Sequence, residues 1–164
     1  MSDTRWVLNE AMAGSLRTIT VRRLGFALQF GIPAGWTPHF AGSVLEVDAP
    51  GGIASLRVQQ GKTPMTLAAI AAGFVTSEFA TLRKQDPRAS VVATQARVGA
   101  GTAIKVTMRY RGEWVGGKRE ITHVVYFLKH GSRAYQFDYG TASATASVLA
   151  SFAASIDSVR FLGA

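Results

Sequence analysis

Three runs rich in β-branched and aromatic residues follow one another almost without interruption: Thr102–Trp114, Lys118–Lys129 and Arg133–Tyr139. Only Val115 and the Gly116-Gly117 turn divide the first two, and the short turn Lys129-His130-Gly131-Ser132 leads into the third. A parallel pair of strands needs a crossover of a dozen or more residues, so links this short leave an antiparallel meander as the solution. The first and third runs alternate. Ile104, Val106, Met108 and Tyr110 fall on one side of the first, with Lys105, Thr107, Arg109 and Arg111 on the other; Tyr135, Phe137 and Tyr139 share a face of the third and read as core. An apolar sheet face has to be covered, and the charge-free run Ala142–Ala154 that follows supplies a cover. Thr141 or Ser143 can cap it as a helix, with Val148, Leu149, Phe152 and Ile156 turned inward.

Upstream, Thr66–Lys84 is the clearest helix. Thr66 is a capping residue, and Leu67, Ile70, Ala71, Phe74, Val75, Phe79 and Leu82 recur at three- and four-residue spacing, with Glu78 the polar exception. Asp86-Pro87 ends it. Ser90–Val98 reads as the strand leading into the meander. Before the helix, Phe26, Leu28 and Phe30 alternate with Ala27 and Gln29 until Pro33 and Gly35 enforce a turn. Ser43–Asp48 and Ile53–Gln59 form a hairpin around Ala49-Pro50-Gly51-Gly52, and Arg5–Asn9 and Thr18–Arg23 are two short strand candidates.

These elements sum to an α+β domain: a single twisted antiparallel sheet flanked by helices, an α-β-α sandwich. A chain of 164 residues is the size of one domain, so an N-terminal strand segment (1–24) and an α+β unit (25–164) are expected to form one compact body. With no cysteine there is no disulfide, cysteine metal site or thiol catalysis. No stretch reaches the 18 apolar residues of a membrane span, and the opening Met1-Ser2-Asp3-Thr4-Arg5 lacks a signal-peptide core. If Met1 is the natural start the expected location is the cytoplasm; export with a removed leader is the alternative.

The order of these motifs resembles the PsbP-like superfamily, the fold of the oxygen-evolving photosystem protein, shared by DcrB-like and LpqN-like bacterial proteins and a eukaryotic Ran-binding import factor. The features that carry the resemblance span about residues 25–161. They are an aromatic strand ending in Pro33-Ala34-Gly35-Trp36, a hairpin, a helix before a three-strand meander turning at His130-Gly131, and a last helix bearing Phe152 that closes on Ser155–Phe161. Residues 5–21 are also similar to the opening of DcrB-related cytoplasmic adaptors, which load effectors onto type VI secretion machines. The resemblance implies a non-catalytic binding or assembly protein, although fold alone does not transfer function.

Little in the chain argues for catalysis. His39, His123 and His130 lack the four-residue helical spacing of a zinc site, and no acid sits beside them in a recognisable motif. His123 shares a face with Ile121, Val125 and Phe127 and reads as a hydrogen-bonded, partly buried histidine. Glu113, Glu120 and Asp138 are candidates to converge across the meander, though pairing with Arg109, Arg111 or Arg133 explains them more simply. There is no Gly-x-Ser-x-Gly elbow, and the glycine pairs open no phosphate-binding helix. No cofactor or metal is expected. An imidazole touching a carboxylate in a water-lined cleft would reverse that expectation.

Two surfaces remain. The formal charge is +8, from 18 Lys+Arg against 10 Asp+Glu, which favours anionic partners or serves solubility alone. Lys105, Arg109 and Arg111 line one side of a strand, and Arg97 and Arg57 on other strands could join them in an anion- or nucleic-acid-binding face. A solvated sheet face is the plainer alternative. The second surface lies on the helices, which are poor in charge. Ala68, Ala69, Ala72 and Gly73 on the first, with Ala144, Ser147 and Ser151 on the second, leave flat patches that suit either solvent or a protein partner, self-association included. The expected function is therefore a non-enzymatic protein-binding or assembly module. A cytosolic DcrB-like adaptor or chaperone for a secreted effector, and an anion or nucleic-acid binder, are the alternatives.

Overall fold

The computed structural model describes residues 7–13 and 16–163, with side chains from Leu16 onward. In chain order the elements are β1 (Val7–Ala13), β2 (Leu16–Arg23), β3 (Phe26–Pro33), β4 (Thr37–Ala41), β5 (Val44–Asp48), β6 (Ala54–Lys62), α1 (Leu67–Gln85), β7 (Ser90–Val98), β8 (Gly101–Trp114), β9 (Gly117–His130), β10 (Arg133–Thr141), α2 (Ala146–Asp157) and β11 (Arg160–Phe161). The meander forms as its turns dictate: β8 pairs antiparallel with β9 and β9 with β10. Gly116 and Gly117, both at positive φ, make the first turn.

The single sheet expected from the sequence is in fact two. One has the order β1-β2-β3-β11 and the other β4-β5-β6-β10-β9-β8-β7. The break lies at Pro33-Ala34-Gly35, where Gly35 takes a φ of 86° and the Trp36 amide donates to the Pro33 carbonyl at 3.2 Å. That turn sends β4 into the larger sheet while β3 stays with β2, its partner along the whole strand. The residue 24 boundary therefore falls inside the β2–β3 hairpin turn.

The two sheets pack face to face. Phe30 meets Phe137 edge-on with ring centroids 5.7 Å apart, and Ile19, Leu28, Ile32, Leu45, Val58 and Tyr139 are essentially without solvent contact. On the opposite face of the larger sheet, α1 covers β7, β8 and β9 through Ala71, Leu82 and Phe74, the last packed on Phe127 at 5.1 Å. The layers are thus α1, the seven-stranded sheet, and the small sheet with α2 beside it. Thr66 caps α1 by accepting from the Ala69 amide, as the sequence suggests.

The second helix starts later than read from the sequence. Its cap is Thr145, whose hydroxyl accepts from the Val148 amide, so Ala144 precedes the helix. Thr141 still belongs to β10; its hydroxyl donates to the Ile53 carbonyl and accepts from the Ser143 amide. The helix is joined to β3 by two serines. The buried Ser155 hydroxyl donates to the Gly31 carbonyl at 2.6 Å and accepts from the Tyr139 hydroxyl at 2.9 Å; the Ser158 hydroxyl accepts from the Gly31 amide at 2.6 Å. Both polar groups of one strand residue are thereby met by the helix.

Ser155→Ala leaves the Tyr139 hydroxyl and the Gly31 carbonyl unpartnered in the core. The expected loss is about 2 kcal/mol of unfolding free energy in urea titrations, with the fold retained.

Candidate functional site

Because α1 lies over the β7 side of the larger sheet, the same face is open toward β4, β5, β6 and β10, and there it is polar. Cross-strand partners share a face, and the pairs His39–Glu46, Glu46–Arg57 and Arg57–Asp138 carry a line of charge across four strands. His39 lies 3.0 Å from a Glu46 oxygen through Nε2 and 3.5 Å from an Asp48 oxygen through Nδ1. Arg57 Nε sits 3.3 Å from the other Glu46 oxygen. The line continues on the meander: His123 Nδ1 is 2.6 Å from Asp138 Oδ1, and His123 Nε2 is 3.2 Å from the Tyr110 hydroxyl.

The fold makes room for this second group. A Cβ at Gly140 would come within 2.9 Å of the His123 ring and 3.3 Å of Trp114. Tyr110 stacks on the imidazole at 5.9 Å, and Trp114, held by its Nε1–H donating to the Gly52 carbonyl at 2.6 Å, meets it edge-on. Burial pushes the His123 pKa down, but the Asp138 hydrogen bond and the negative charge of Asp138 and Glu78 outweigh it, and the net shift is upward. Burial, with the same two carboxylates, pushes the Tyr110 hydroxyl up as well.

Two histidines that the sequence left without acids therefore have them. The imidazole–carboxylate contact that chemistry would require is present, and its two ring nitrogens could pass a proton between Tyr110 and Asp138. Of this group, Tyr110 borders a hollow of about 360 Å³ that it shares with Asp86, Arg88 and Glu120. His39, Glu46 and Asp48, whose ligand atoms lie within 4.8 Å of one another, are the residues that could hold a cation. The guanidinium of Arg57 on Glu46 opposes one there.

The five cations proposed from the sequence are not one surface. Strand register places Lys105, Arg109 and Arg111 on the face toward α2, and Arg57 and Arg97 on the face of α1. Arg111 pairs with Glu120 at 3.8 Å, and Arg57 with Glu46. Lys105 and Arg109 have no ion-pair partner among the described residues. With Thr107 and Thr122 they edge a cavity of about 110 Å³ between α2 and β8–β9. Arg109 and Arg111 also border a shallower hollow of about 360 Å³ that contains Asp86 and Glu120. Asp86 closes α1 onto the sheet there: the Arg111 and Arg88 amides donate to its carboxylate and hold its pKa low. A third hollow, of about 330 Å³, lies at the start of α1 over Phe127, Gln59 and Gln136.

On the helices, Ala68, Ala69, Ala72 and Gly73 are all exposed on α1. Ser147 is exposed on α2, Ser151 is half-buried with its hydroxyl donating to the Val148 carbonyl, and Ala144 is exposed ahead of the helix.

No family model matches this sequence, and no curated protein matches it. Among solved structures, the solution structure of cyanobacterial PsbP (CyanoP) from Synechocystis sp. PCC 6803 is similar with a TM-score of 0.59 and 15% identity, over 94% of this chain and 96% of that one. A crystal structure from Bacteroides thetaiotaomicron matches 83% of this chain at 13% identity and a TM-score of 0.49; this chain spans 45% of that one. The fold is PsbP-like. At this identity the likeness concerns the fold and not the site. Among the described residues, no helix is long and apolar enough to cross a membrane.

The upward shift of His123 has a consequence for stability. Its native pKa exceeds the unfolded one, so its contribution is complete below about pH 6.5 and is lost as the pH rises through the native value. Unfolding free energy measured against pH should fall over that interval in the wild type, and His123→Gln should remove that fall. An unchanged profile in the variant would show that His123 does not titrate as argued.

Proposed function

We propose that this chain is a non-catalytic protein-binding or assembly module that buries the uncharged outer side of a helix against a partner. The observation carrying this reading is the outer side of the first turns of α1: Ala68, Ala69, Ala72 and Gly73 face solvent without an intervening charge, and Phe79 beyond them is 41% exposed, with the Arg83 guanidinium over its ring at 4.9 Å. Solvent-facing helix positions ordinarily carry Lys or Glu. Small residues allow close approach of a second surface, and an exposed aromatic provides the area that anchors an interface. The PsbP-like fold is compatible with such a role. Lys105 and Arg109 on the far side, without an ion-pair partner among the described residues, add positive potential that would speed encounter with an acidic partner.

Ala72→Glu and Ser147→Glu are the direct tests, since both side chains point to solvent. Each should leave the melting transition within about 0.5 kcal/mol of wild type. Ala72→Glu should weaken self-association or partner capture from native extract at least tenfold, which sedimentation and pull-down would read. Unchanged mass and unchanged capture in both variants would discard the helix-interface reading.

A further inference from the structure

We propose that the cavity between α2 and the β8–β9 strip is a binding site for a short-chain aliphatic carboxylate. This goes beyond the interface reading and does not rest on it, because the cavity lies across the larger sheet from α1.

The cavity is small and two-sided in its chemistry. Its edge along β8 carries Lys105 and Arg109, cations without an ion-pair partner among the described residues. Its inner wall is mostly apolar: Val124 from β9, and Leu149 and Phe152 from α2, with Tyr126 of β9 beside them. Phe152 is 1% exposed and packs edge-on against Trp36 at 6.3 Å, so that wall is rigid. Between the two ends stands Thr122. It is 6% exposed and lines the cavity, and its hydroxyl has no hydrogen-bond partner among the described residues. A hydroxyl in this position can serve a polar ligand atom as donor or acceptor.

These features select a ligand by size and by charge. By volume alone, a hollow of about 110 Å³ has room for a chain of about four carbons. A carboxylate at the mouth of the cavity meets Lys105 and Arg109, and Arg109 can offer it two parallel N–H donors. Inorganic phosphate satisfies the cations but leaves the apolar wall wet. A neutral amide of the same length fills the wall but leaves the two charges unmet. Both ends are served only when charge and chain are joined in one molecule.

Isovalerate is the probe, with inorganic phosphate and isovaleramide as controls, followed by NMR titration of the full chain at low salt. Isovalerate should saturate at millimolar concentration, shifting the Leu149 methyl and Phe152 ring signals. Phosphate and isovaleramide should bind at least tenfold more weakly. Lys105→Gln together with Arg109→Gln should weaken isovalerate at least tenfold. Ala153→Leu, which narrows the cavity and keeps both cations, should abolish binding; melting curves confirm that each variant folds. The proposal is overturned if isovalerate does not saturate, if phosphate binds as well, or if either variant binds like wild type. Loss of α1-mediated assembly in Ala72→Glu would leave these outcomes untouched, so the two readings fail separately.

Discussion

The junction between α2 and β3 holds the molecule together as one body. Gly31 is a strand residue whose amide and carbonyl are met by Ser158, the C-cap of α2, and Ser155 of the helix rather than by another strand. The short β11 pairs with β3 only at Leu28 and Gln29, so the serines take over where that edge strand stops. An unpaired strand edge in a core would be costly, and helix hydroxyls remove the cost. The same contact places Phe152 against Tyr139 and Trp36, which closes one end of the space between the sheets. Gly99, in the β7–β8 turn, approaches α2 so closely that a Cβ there would lie 1.9 Å from the Asp157 carbonyl oxygen. The helix is clamped from both sides, and the hollow beneath it follows from that placement.

The two faces of the larger sheet differ because their covers differ in extent. One face receives the small sheet and α2 and is apolar over most of its width. The other receives only α1, which reaches as far as β9. Beyond it the sheet must live in water, and the residues there alternate in charge from Asp48 through Arg57 to Asp138. Opposite charges across neighbouring strands satisfy one another at little cost in such a partly wet setting. His123 and Tyr110 lie where the helix cover thins out, which is why both are buried enough to shift and still close to carboxylates.

Much of the architecture was legible locally. The turns at Gly116-Gly117 and Gly131-Ser132 dictated the meander, and the spacing from Leu67 to Leu82 dictated α1 and its inward side. β4 was missed because five residues containing Pro38 and His39 carry a weak strand signal, and with it went the His39–Glu46 pair. The His123–Asp138 contact was within reach. Folding the meander about Gly131 opposes His123 to Gly140 and Val125 to Asp138, which makes the two side chains diagonal neighbours. The cap of α2 was misplaced because several threonines and serines stand in a row, and only the β10 register decides which of them is free.

Taken one strand or one helix at a time, the residues specify period, turns, charge and the small-residue side of α1. Tertiary structure alone decided how those local faces were combined. Arg57 and Arg97 alternate along their strands as Lys105 and Arg109 do along theirs, yet they point to the opposite side of the sheet. The physical reason is that side chains alternate with a period of two, so shifting one strand pairing by a single residue exchanges its faces. Register is set by turns and packing far from the residues it sorts. The same holds for the division into two sheets at Gly35 and for the hollow under α2, both of which depend on what a segment meets after the chain has folded back.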